Sequence, residues 1–212
     1  MNKGQFLFIT DFDGTLTAQD FYLQILYRFE HEKVFLKEKK AGVELLSEVL
    51  ESANLTEKEF EDEIKHIPLD FSFIDFYNFV KEKGGDVLIL SAGCKYYIEK
   101  RLEFEGLKNI KIIANDGCFK DGGFKFLKNE NKDFYSEKFG VDKVKVVEHY
   151  KKKYKKIYYA GDSYIDFKAA ELADIKFAKK NLVEIFKMLK LKFFEFYNFD
   201  EIKNVLLDIV KI

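Results

Sequence analysis

The chain has 212 residues, of which 47% are hydrophobic and 34% are charged, and its formal net charge is −1. This composition is typical of a globular protein and argues against a disordered chain, and the near-zero charge offers no broad basic surface for a nucleic acid. No stretch approaches the ~20 consecutive apolar residues of a membrane-spanning helix, so we expect one domain, or one domain with an insertion, with neither nucleic acid nor membrane as a partner.

A short apolar run at residues 6–9 comes first, and we predict it to be a strand buried on both faces of a parallel sheet. It leads directly into Asp11 and Asp13. Two carboxylates this close at the end of a buried strand are costly unless a positive group lies between them, and a divalent cation is the simplest such group. Gly14 permits a tight turn in which backbone N–H groups face an anion. The stretch therefore predicts phosphate chemistry at a strand end.

The pattern then becomes helical from about residue 20 to about residue 65. Apolar side chains recur at helical spacing over residues 21–29 and 43–50. Thr56 and Glu59 have the spacing of a capping box at the start of a third helix, and Pro68 ends the block. Because this insertion is too long for a simple connection between two parallel strands, we predict a small helical cap over the strand ends.

The rest of the chain alternates short apolar runs with helical segments. Strands are predicted at residues 87–90, 110–114, 157–160 and 175–178. A hairpin turn is predicted at residues 120–123 and a polar loop at 129–140. The alternation predicts an α/β fold with a doubly wound parallel sheet. We assign residues 1–16 and 81–212 to the catalytic core and residues 17–80 to the cap.

The cysteines and the N-terminus bear on the compartment. Cys94 and Cys118 have no metal-ligand spacing, and a single pair is not a disulfide framework. The N-terminal apolar run is short and ends in acids, unlike a signal peptide. We therefore expect reduced thiols and a cytoplasmic protein.

Three of the predicted strands end in side chains suited to phosphate chemistry. Asp11 and Asp13 follow the first strand, Ser91 follows the second, and Asp162 and Asp166 follow the fourth. Open α/β sheets bind their ligands in the crevice at the carboxyl ends of their strands. We therefore predict that these side chains form one site.

Lys143 opens the helix that precedes the fourth strand, directly after Asp142, the predicted N-cap. Lys138 and Lys145 lie nearby in the chain. If a lysine joins the site at the strand ends, the position after the capping aspartate favours Lys143, with Lys138 and Lys145 as the alternatives.

In chain order, DFDGTLT (residues 11–17), SAG (91–93), Lys143 and GDSYID (161–166) resemble the four motifs of the haloacid dehalogenase superfamily, a group of mostly Mg²⁺-dependent phosphohydrolases. The resemblance covers nearly the whole chain. It implies a Rossmann-like core with an inserted cap, phosphatase activity, Mg²⁺ as the cofactor and a small phosphorylated metabolite as the substrate. We expect a monomer or a homodimer.

The resemblance also implies a role for each acidic residue. Asp11 would be the nucleophile and carry a phosphoaspartyl intermediate. Asp13 would act as general acid and then as general base. The metal site would comprise Asp11, the Asp13 carbonyl and Asp162, with Asp166 supporting them from nearby.

The phosphoryl group has its own set of expected contacts, again by resemblance. Ser91 and Ala92 of the second motif would bind the phosphoryl oxygens together with Gly14, and Lys143 would offset their charge. Taken alone, Ser91 is equally consistent with a plain helix N-cap.

The position of the cap, between the first and second motifs, resembles the phosphoserine phosphatase branch. Within that branch, three features resemble the phosphatases of methionine salvage, which dephosphorylate 2-hydroxy-3-keto-5-methylthiopentenyl-1-phosphate. They are Asp20 in the tenth place of DFDGTLTAQD, the spacing from Lys143 to Asp162, and the tail AKKNLVEIF (residues 178–186) followed by FFEFYNFDEI (193–202). SAG departs from the more usual SGG.

The cap is expected to contact the substrate through Asp20, Phe21 and Tyr22, with Phe35 adding to an apolar wall. The second cap helix has no arginine to bind a substrate carboxylate. The alternatives to a methionine-salvage phosphatase are a phosphoserine phosphatase, a phosphotransferase or mutase that uses the same intermediate, and an inactive binding protein.

Overall fold

The structure is a computed structural model that describes residues 4–28, 41–128 and 133–209. The strands are β1 (Gly4–Thr10), β2 (Asp86–Cys94), β3 (Lys111–Lys120), β4 (Gly123–Leu127), β5 (Tyr135–Ser136), β6 (Gly140–Val141), β7 (Tyr154–Gly161), β8 (Ile175–Ala178) and β9 (Phe194–Glu195). The described helices are α1 (Phe21–Arg28), α2 (Val43–Ser52), α3 (Glu57–Lys65), α4 (Ser72–Glu82), α5 (Lys95–Phe104), α6 (Lys143–Lys151), α7 (Tyr164–Glu171), α8 (Asn181–Met188) and α9 (Phe199–Ile209). Seven strands form one sheet in the order β4-β3-β2-β1-β7-β8-β9, and β5 pairs with β6.

Strand β1 lies in the middle of the sheet because its side chains are apolar on both faces. Leu7, Phe8 and Ile9 are at most 2% exposed. β1 pairs in parallel with β2 on one side and with β7 on the other, and β8 and β9 continue the parallel order. The predicted doubly wound parallel sheet is confirmed.

Helices cover both faces of the sheet. On one face, the ring of Phe8 packs against Phe76 of α4, with centroids 4.6 Å apart, and Phe199 of α9 packs against both. On the other face, Leu7 and Ile9 belong to a second buried cluster that includes side chains of α6, α7 and α8. Successive residues of β1 thus point into the two halves of the core, as the pleat of a strand requires.

The predicted hairpin turn is also confirmed. Asp121 and Gly122 have φ values of 52° and 81°, which a tight turn between antiparallel strands requires, and they join β3 to β4. β3 extends beyond the predicted 110–114 into this hairpin. Residues 135–136, inside the predicted loop, pair as β5 with residues 140–141 at its end, which form β6. The sequence did not predict this pairing because strands of two residues carry no hydrophobic pattern.

The cap region contains the three predicted helices, here α1, α2 and α3. The Thr56 side chain accepts from the Glu59 N–H and the Glu59 carboxylate accepts from the Thr56 N–H, so the predicted capping box is present. The chain enters and leaves the cap side by side, since Thr17 and Leu69 form an antiparallel bridge. No helix within the described ranges is long and apolar enough to cross a membrane.

Most of helix α4 falls within residues 17–80, which the sequence assigned to the cap, but the helix packs on the sheet through Phe76. We therefore propose that the cap ends near residue 70 and that α4 belongs to the core. Phe35 and the end of the first predicted cap helix, including Phe29, lie outside the described residues.

Both cysteines are free thiols. Cys94 is buried, and burial raises the pKa of its thiol to about 12. A buried thiol with a raised pKa is a poor nucleophile.

Candidate active site

The carboxyl ends of β1, β2 and β7 meet at one edge of the sheet, and the candidate site lies there. The backbone N–H of Asp11 donates to the Ala160 carbonyl oxygen at 3.0 Å, which keeps the chain after β1 in register with β7. A cleft of about 390 Å³ opens above these ends, and Asp11, Asp13, Ser91 and Asp162 line it. The structure thus brings together the residues that the motifs place at three separate strand ends.

Lys143 joins two of the carboxylates. Its Nζ lies 2.7 Å from Asp11 Oδ1 and 2.7 Å from Asp166 Oδ1, and its side chain is 4% exposed. Burial lowers the pKa of Lys143, but the charges of Asp11 and Asp166 outweigh this effect and raise the pKa above its ordinary value. Lys143 is therefore a fixed positive charge beside Asp11.

The alternative lysines lie elsewhere. Lys145 Nζ pairs with Asp142 Oδ2 at 3.6 Å on an exposed part of α6, and the Lys138 ammonium lies over the Phe139 ring at 5.1 Å. Asp142 caps α6 by accepting from the Lys145 N–H. Lys143, the residue that follows this N-cap, is the lysine that is buried against Asp11.

Asp166 is completely buried and its two oxygens are fully engaged. Oδ1 accepts from Lys143 Nζ and from the Tyr159 hydroxyl at 2.8 Å. Oδ2 accepts from the backbone N–H groups of Asp162 and Ser163, each at 3.2 Å. Asp166 therefore fixes both Lys143 and the turn after β7.

Lys180 lies beside the site, although the sequence pointed to it only as part of the tail AKKNLVEIF and not as a site residue. Its Nζ lies 3.3 Å from Asp162 Oδ2 and 3.2 Å from the Ala18 carbonyl oxygen. It connects the end of β7 with the start of the cap. In a lysine-rich chain, a lysine in the turn before α8 carries no signal of this contact.

Gly14 has a different role from the one expected. Its N–H donates to Thr17 Oγ1 at 3.1 Å instead of facing the cleft. Its φ is +77°, and a side chain at this position would overlap Asp162 Oδ2 and crowd the Lys180 ammonium. Gly14 is therefore needed for the close approach of the first and fourth motifs.

Three carboxylates form a cluster that fits a divalent cation. Oxygens of Asp11, Asp162 and Asp166 lie within 4.8 Å of one another. Burial raises the pKa of Asp11 well above its usual range, and burial together with Asp166 raises the pKa of Asp162 to about 6. Carboxylate oxygens are the donors that Mg²⁺ prefers, so the residues present suit that ion.

Asp13 is held by contacts of its own. Its Oδ1 accepts from the Phe21 N–H at 3.0 Å, and its Oδ2 accepts from the Tyr97 hydroxyl at 2.5 Å and lies 3.4 Å from Ser91 Oγ. Burial and the nearby charge of Asp20 raise the pKa of Asp13 to about 7. A carboxyl group with such a pKa can both give and accept a proton at neutral pH.

Side-chain hydrogen bonds hold the last residues of β2, 91–93, which carry the second motif. The Gly93 N–H donates to Ser91 Oγ at 2.8 Å. Asn115 Nδ2 donates to the Ala92 carbonyl oxygen at 2.7 Å and to the Phe139 carbonyl oxygen at 3.0 Å. Ser91 and Ala92 therefore line the cleft from the hydrogen-bonded end of β2.

The expected cap residues take different places. Asp20 and Tyr22 line the cleft. Phe21 is completely buried and packs against Phe60 and Tyr97, with centroid distances of 5.3 and 4.7 Å. Its side chain therefore belongs to the core beneath the cap, and only its backbone N–H contacts Asp13. Nothing is described for Phe35.

The remaining wall of the cleft is partly apolar and partly polar, and includes Leu45, Leu46, Phe139, Tyr164 and Asn181. Among the described residues, no arginine lines it. Arg28 pairs with Glu63 at 2.9 Å, and Arg101 pairs with Glu105 at 2.6 Å. The cleft therefore has no guanidinium group to clamp a substrate carboxylate.

Comparison with known proteins agrees with this geometry. Residues 8–171 match the family model of the haloacid dehalogenase-like hydrolases. A polyol phosphate phosphatase from Saccharomyces cerevisiae is 31% identical over 220 residues, which cover 91% of this chain and 89% of the relative. A 2-hydroxy-3-keto-5-methylthiopentenyl-1-phosphate phosphatase from Bacillus velezensis is 27% identical over 207 residues, covering 93% and 88%. The predicted resemblance to the methionine-salvage phosphatases is confirmed.

A solved structure of a phospho-aspartyl intermediate analogue of phosphoserine phosphatase has a TM-score of 0.65 against this chain. The two are 22% identical, and the alignment covers 99% of this chain and 100% of the other. A likeness at this identity shows that the two proteins share a fold.

Proposed function

Because this chain belongs to the haloacid dehalogenase-like hydrolases and is a phosphatase, as its relatives over most of its length are, we propose that it hydrolyses a small phosphomonoester through a phosphoaspartyl intermediate on Asp11. The observation that carries this proposal is the buried contact of 2.7 Å between Lys143 and Asp11 at the base of the cleft. Lys143 acts against the burial that raises the pKa of Asp11, because a positive charge beside a carboxylate favours its charged form. We also propose that the protein is cytoplasmic, as expected from the sequence.

The first half of the reaction transfers the phosphoryl group to the enzyme. A carboxylate oxygen of Asp11 forms a bond to phosphorus, and the bond between phosphorus and the ester oxygen breaks. The ester oxygen keeps the electron pair and takes a proton from the Asp13 carboxyl group. Lys143 lies beside Asp11 and offsets the negative charge that gathers there.

The second half returns the enzyme to its starting state. The Asp13 carboxylate takes a proton from a water molecule, whose oxygen forms a bond to phosphorus as the Asp11–phosphorus bond breaks. Inorganic phosphate leaves and Asp11 is again a free carboxylate. Asp13 is suited to both halves because its pKa is about 7.

We propose that Asp11 and Asp162 hold the divalent cation, since their carboxylates line the cleft. Asp166 would position this pair without binding the ion directly, because its oxygens already accept hydrogen bonds from four groups. The contribution of the Asp13 carbonyl oxygen stays a prediction from the family resemblance. When bound, Mg²⁺ supplies positive charge against the phosphoryl oxygens.

Asp13→Asn tests the role of the second carboxylate. The amide cannot give or take the proton, so kcat for an alkyl phosphate is expected to fall by about 10²–10⁴-fold. In the wild type, kcat/KM should also fall as the pH rises through about 7, because Asp13 then loses the proton that it must donate. Steady-state rates over a pH series measure both effects. An Asp13→Asn enzyme with wild-type kcat would show that another group transfers the proton.

For the substrate, we propose a phosphate ester with an uncharged, hydroxylated or keto-bearing tail. Asp20, Tyr22 and Asn181 offer hydrogen-bonding groups at the cleft, and Leu45 and Phe139 offer apolar surface. The methionine-salvage enol phosphate and the polyol phosphates are both of this kind, and phosphatases named for them are among the relatives.

Phosphoserine is the less favoured substrate. Its tail carries a carboxylate and an ammonium, and the described cleft provides Asp20 for the ammonium but no arginine for the carboxylate. The absent charged hydrogen bond is worth about 1.5–3 kcal/mol, or roughly 10- to 150-fold in kcat/KM. A mutase or a phosphotransferase would use the same residues but exclude water from the phosphoaspartate. An inactive binding protein would gain nothing from the buried charges of Asp11 and Lys143.

A comparison of kcat/KM values for a polyol phosphate, the methionine-salvage enol phosphate and L-phosphoserine tests the substrate class. We expect both uncharged-tail substrates to be hydrolysed faster than phosphoserine, by about 10-fold or more. Leu45→Arg adds a guanidinium at the cleft wall and should narrow the gap, whereas Glu44→Arg, on the same helix but outside this cleft, should leave it unchanged. A preference of the wild type for phosphoserine would reverse the assignment.

A further inference from the structure

Tyr97 of α5 is a buried tyrosine that none of the four motifs contains. Its side chain is 1% exposed and lies among the rings of Phe12 and Phe21, with centroid distances of 6.0 and 4.7 Å. Its hydroxyl group emerges from this apolar layer and donates to Asp13 Oδ2 at 2.5 Å. A hydroxyl in such surroundings requires a partner, and here that partner is the proposed general acid.

The contact is closely packed from the other side as well. A Cβ at Gly93, near the end of β2, would overlap both the Tyr97 hydroxyl and Asp13 Oδ2. The phenol, the carboxyl group and this end of β2 therefore leave one another little freedom to move. The Phe21 N–H holds Oδ1 at 3.0 Å, so that each oxygen of Asp13 has a donor of its own.

We propose that Tyr97 is a positioning residue for Asp13: its hydroxyl group fixes the carboxyl group towards the cleft and stabilises the carboxylate that forms when the proton passes to the leaving ester oxygen. This inference rests on the proposed phosphatase mechanism. Hydrogen bonds to a charged acceptor are stronger than those to a neutral one. The contact therefore strengthens as charge develops on Asp13, and it favours the transition state over the bound substrate.

If Tyr97 positions Asp13, its loss should affect two kinds of substrate differently, which a packing role would not predict. An alkyl phosphate has a strongly basic leaving group that needs the proton from Asp13, whereas p-nitrophenyl phosphate releases a stable phenolate that needs little assistance. The value of kcat/KM for each substrate reports the step that expels the leaving group, whichever later step limits kcat. The informative quantity is therefore the ratio of the two kcat/KM values. The fraction of correctly folded enzyme cancels from the ratio.

The test compares Tyr97→Phe with Tyr96→Phe. Both variants lose one hydroxyl group from neighbouring residues of the same helix, but the Tyr96 hydroxyl donates to Glu57 at 2.9 Å near the surface. For Tyr97→Phe we expect kcat/KM for glycerol phosphate or erythritol phosphate to fall by about 10-fold or more relative to p-nitrophenyl phosphate. Tyr96→Phe should keep the wild-type ratio.

Two results would overturn this role for Tyr97. One is an equal loss for both substrates in Tyr97→Phe, which would make the contact a packing feature. The other is an unchanged ratio with unchanged rates, which would mean that Asp13 is positioned without the phenol. A wild-type enzyme that hydrolyses neither ester would refute the proposed function itself, and this outcome differs from both.

Discussion

Asp11→Asn is expected to abolish turnover of every phosphate ester. An amide oxygen carries no negative charge and does not attack phosphorus, so the phosphoaspartyl intermediate cannot form. The substitution also removes one of the two carboxylates that Lys143 contacts at 2.7 Å. Since Asn has nearly the shape of Asp, the cleft should still form, and the loss of activity should appear as a lower kcat.

Asp142→Asn is the matched control for this experiment. Asp142 is the N-cap of α6 and directly precedes Lys143. Its own side chain points to Lys145 instead: Oδ1 accepts from the Lys145 N–H at 3.1 Å. Asn caps a helix about as well as Asp, so this variant should keep near-wild-type kcat. Rates with p-nitrophenyl phosphate and with a polyol phosphate check both variants. If Asp11→Asn kept most of the wild-type rate, Asp11 would not be the nucleophile.

Removal of divalent cations is the second change for which we expect a loss to background. Asp11 and Asp162 repel the incoming phosphate, and Lys143 is already bonded to Asp11 and Asp166. Without the ion, that repulsion is uncompensated, and a bound metal contributes several kcal/mol of charge stabilisation in such sites. EDTA should therefore stop turnover, and Mg²⁺ added in excess should restore it.

Titration calorimetry gives a measure of the metal site that does not depend on turnover. Mg²⁺ should bind the wild-type protein and Asp142→Asn alike, and should bind Asp162→Asn much more weakly because one carboxylate ligand is lost. Full activity in metal-free buffer, or undiminished Mg²⁺ binding by Asp162→Asn, would argue against Asp11 and Asp162 as the metal ligands.

The elements that the sequence predicted well are those with a local signal. The apolar run of β1, the capping box at Thr56 and the Asp121–Gly122 turn each depend on residues within a few positions of one another. The sequence also predicted that Asp11 and Asp162 lie close together, because parallel strands end at the same edge of a sheet.

The contacts that the sequence did not predict join distant parts of the chain. Tyr97 reaches Asp13 across 84 positions, and Lys180 reaches Ala18 across 162. Neither position departs from an ordinary helical or turn pattern, so only the packed fold reveals its neighbour. The placement of α4 on the sheet is of the same kind, since its apolar face would suit either the cap or the core.

The most direct test of the account uses Asp13→Asn with p-nitrophenyl phosphate and Mg²⁺. This ester needs no proton from Asp13 to phosphorylate the enzyme, but the phosphoenzyme needs Asp13 to activate water, so the intermediate should accumulate. After a rapid acid quench, peptide mass mapping should find one phosphoryl group per chain, on the peptide that contains Asp11, matched by an equal burst of p-nitrophenolate. A burst without a phosphoryl group on that peptide, or with the group on Ser91, would contradict the mechanism.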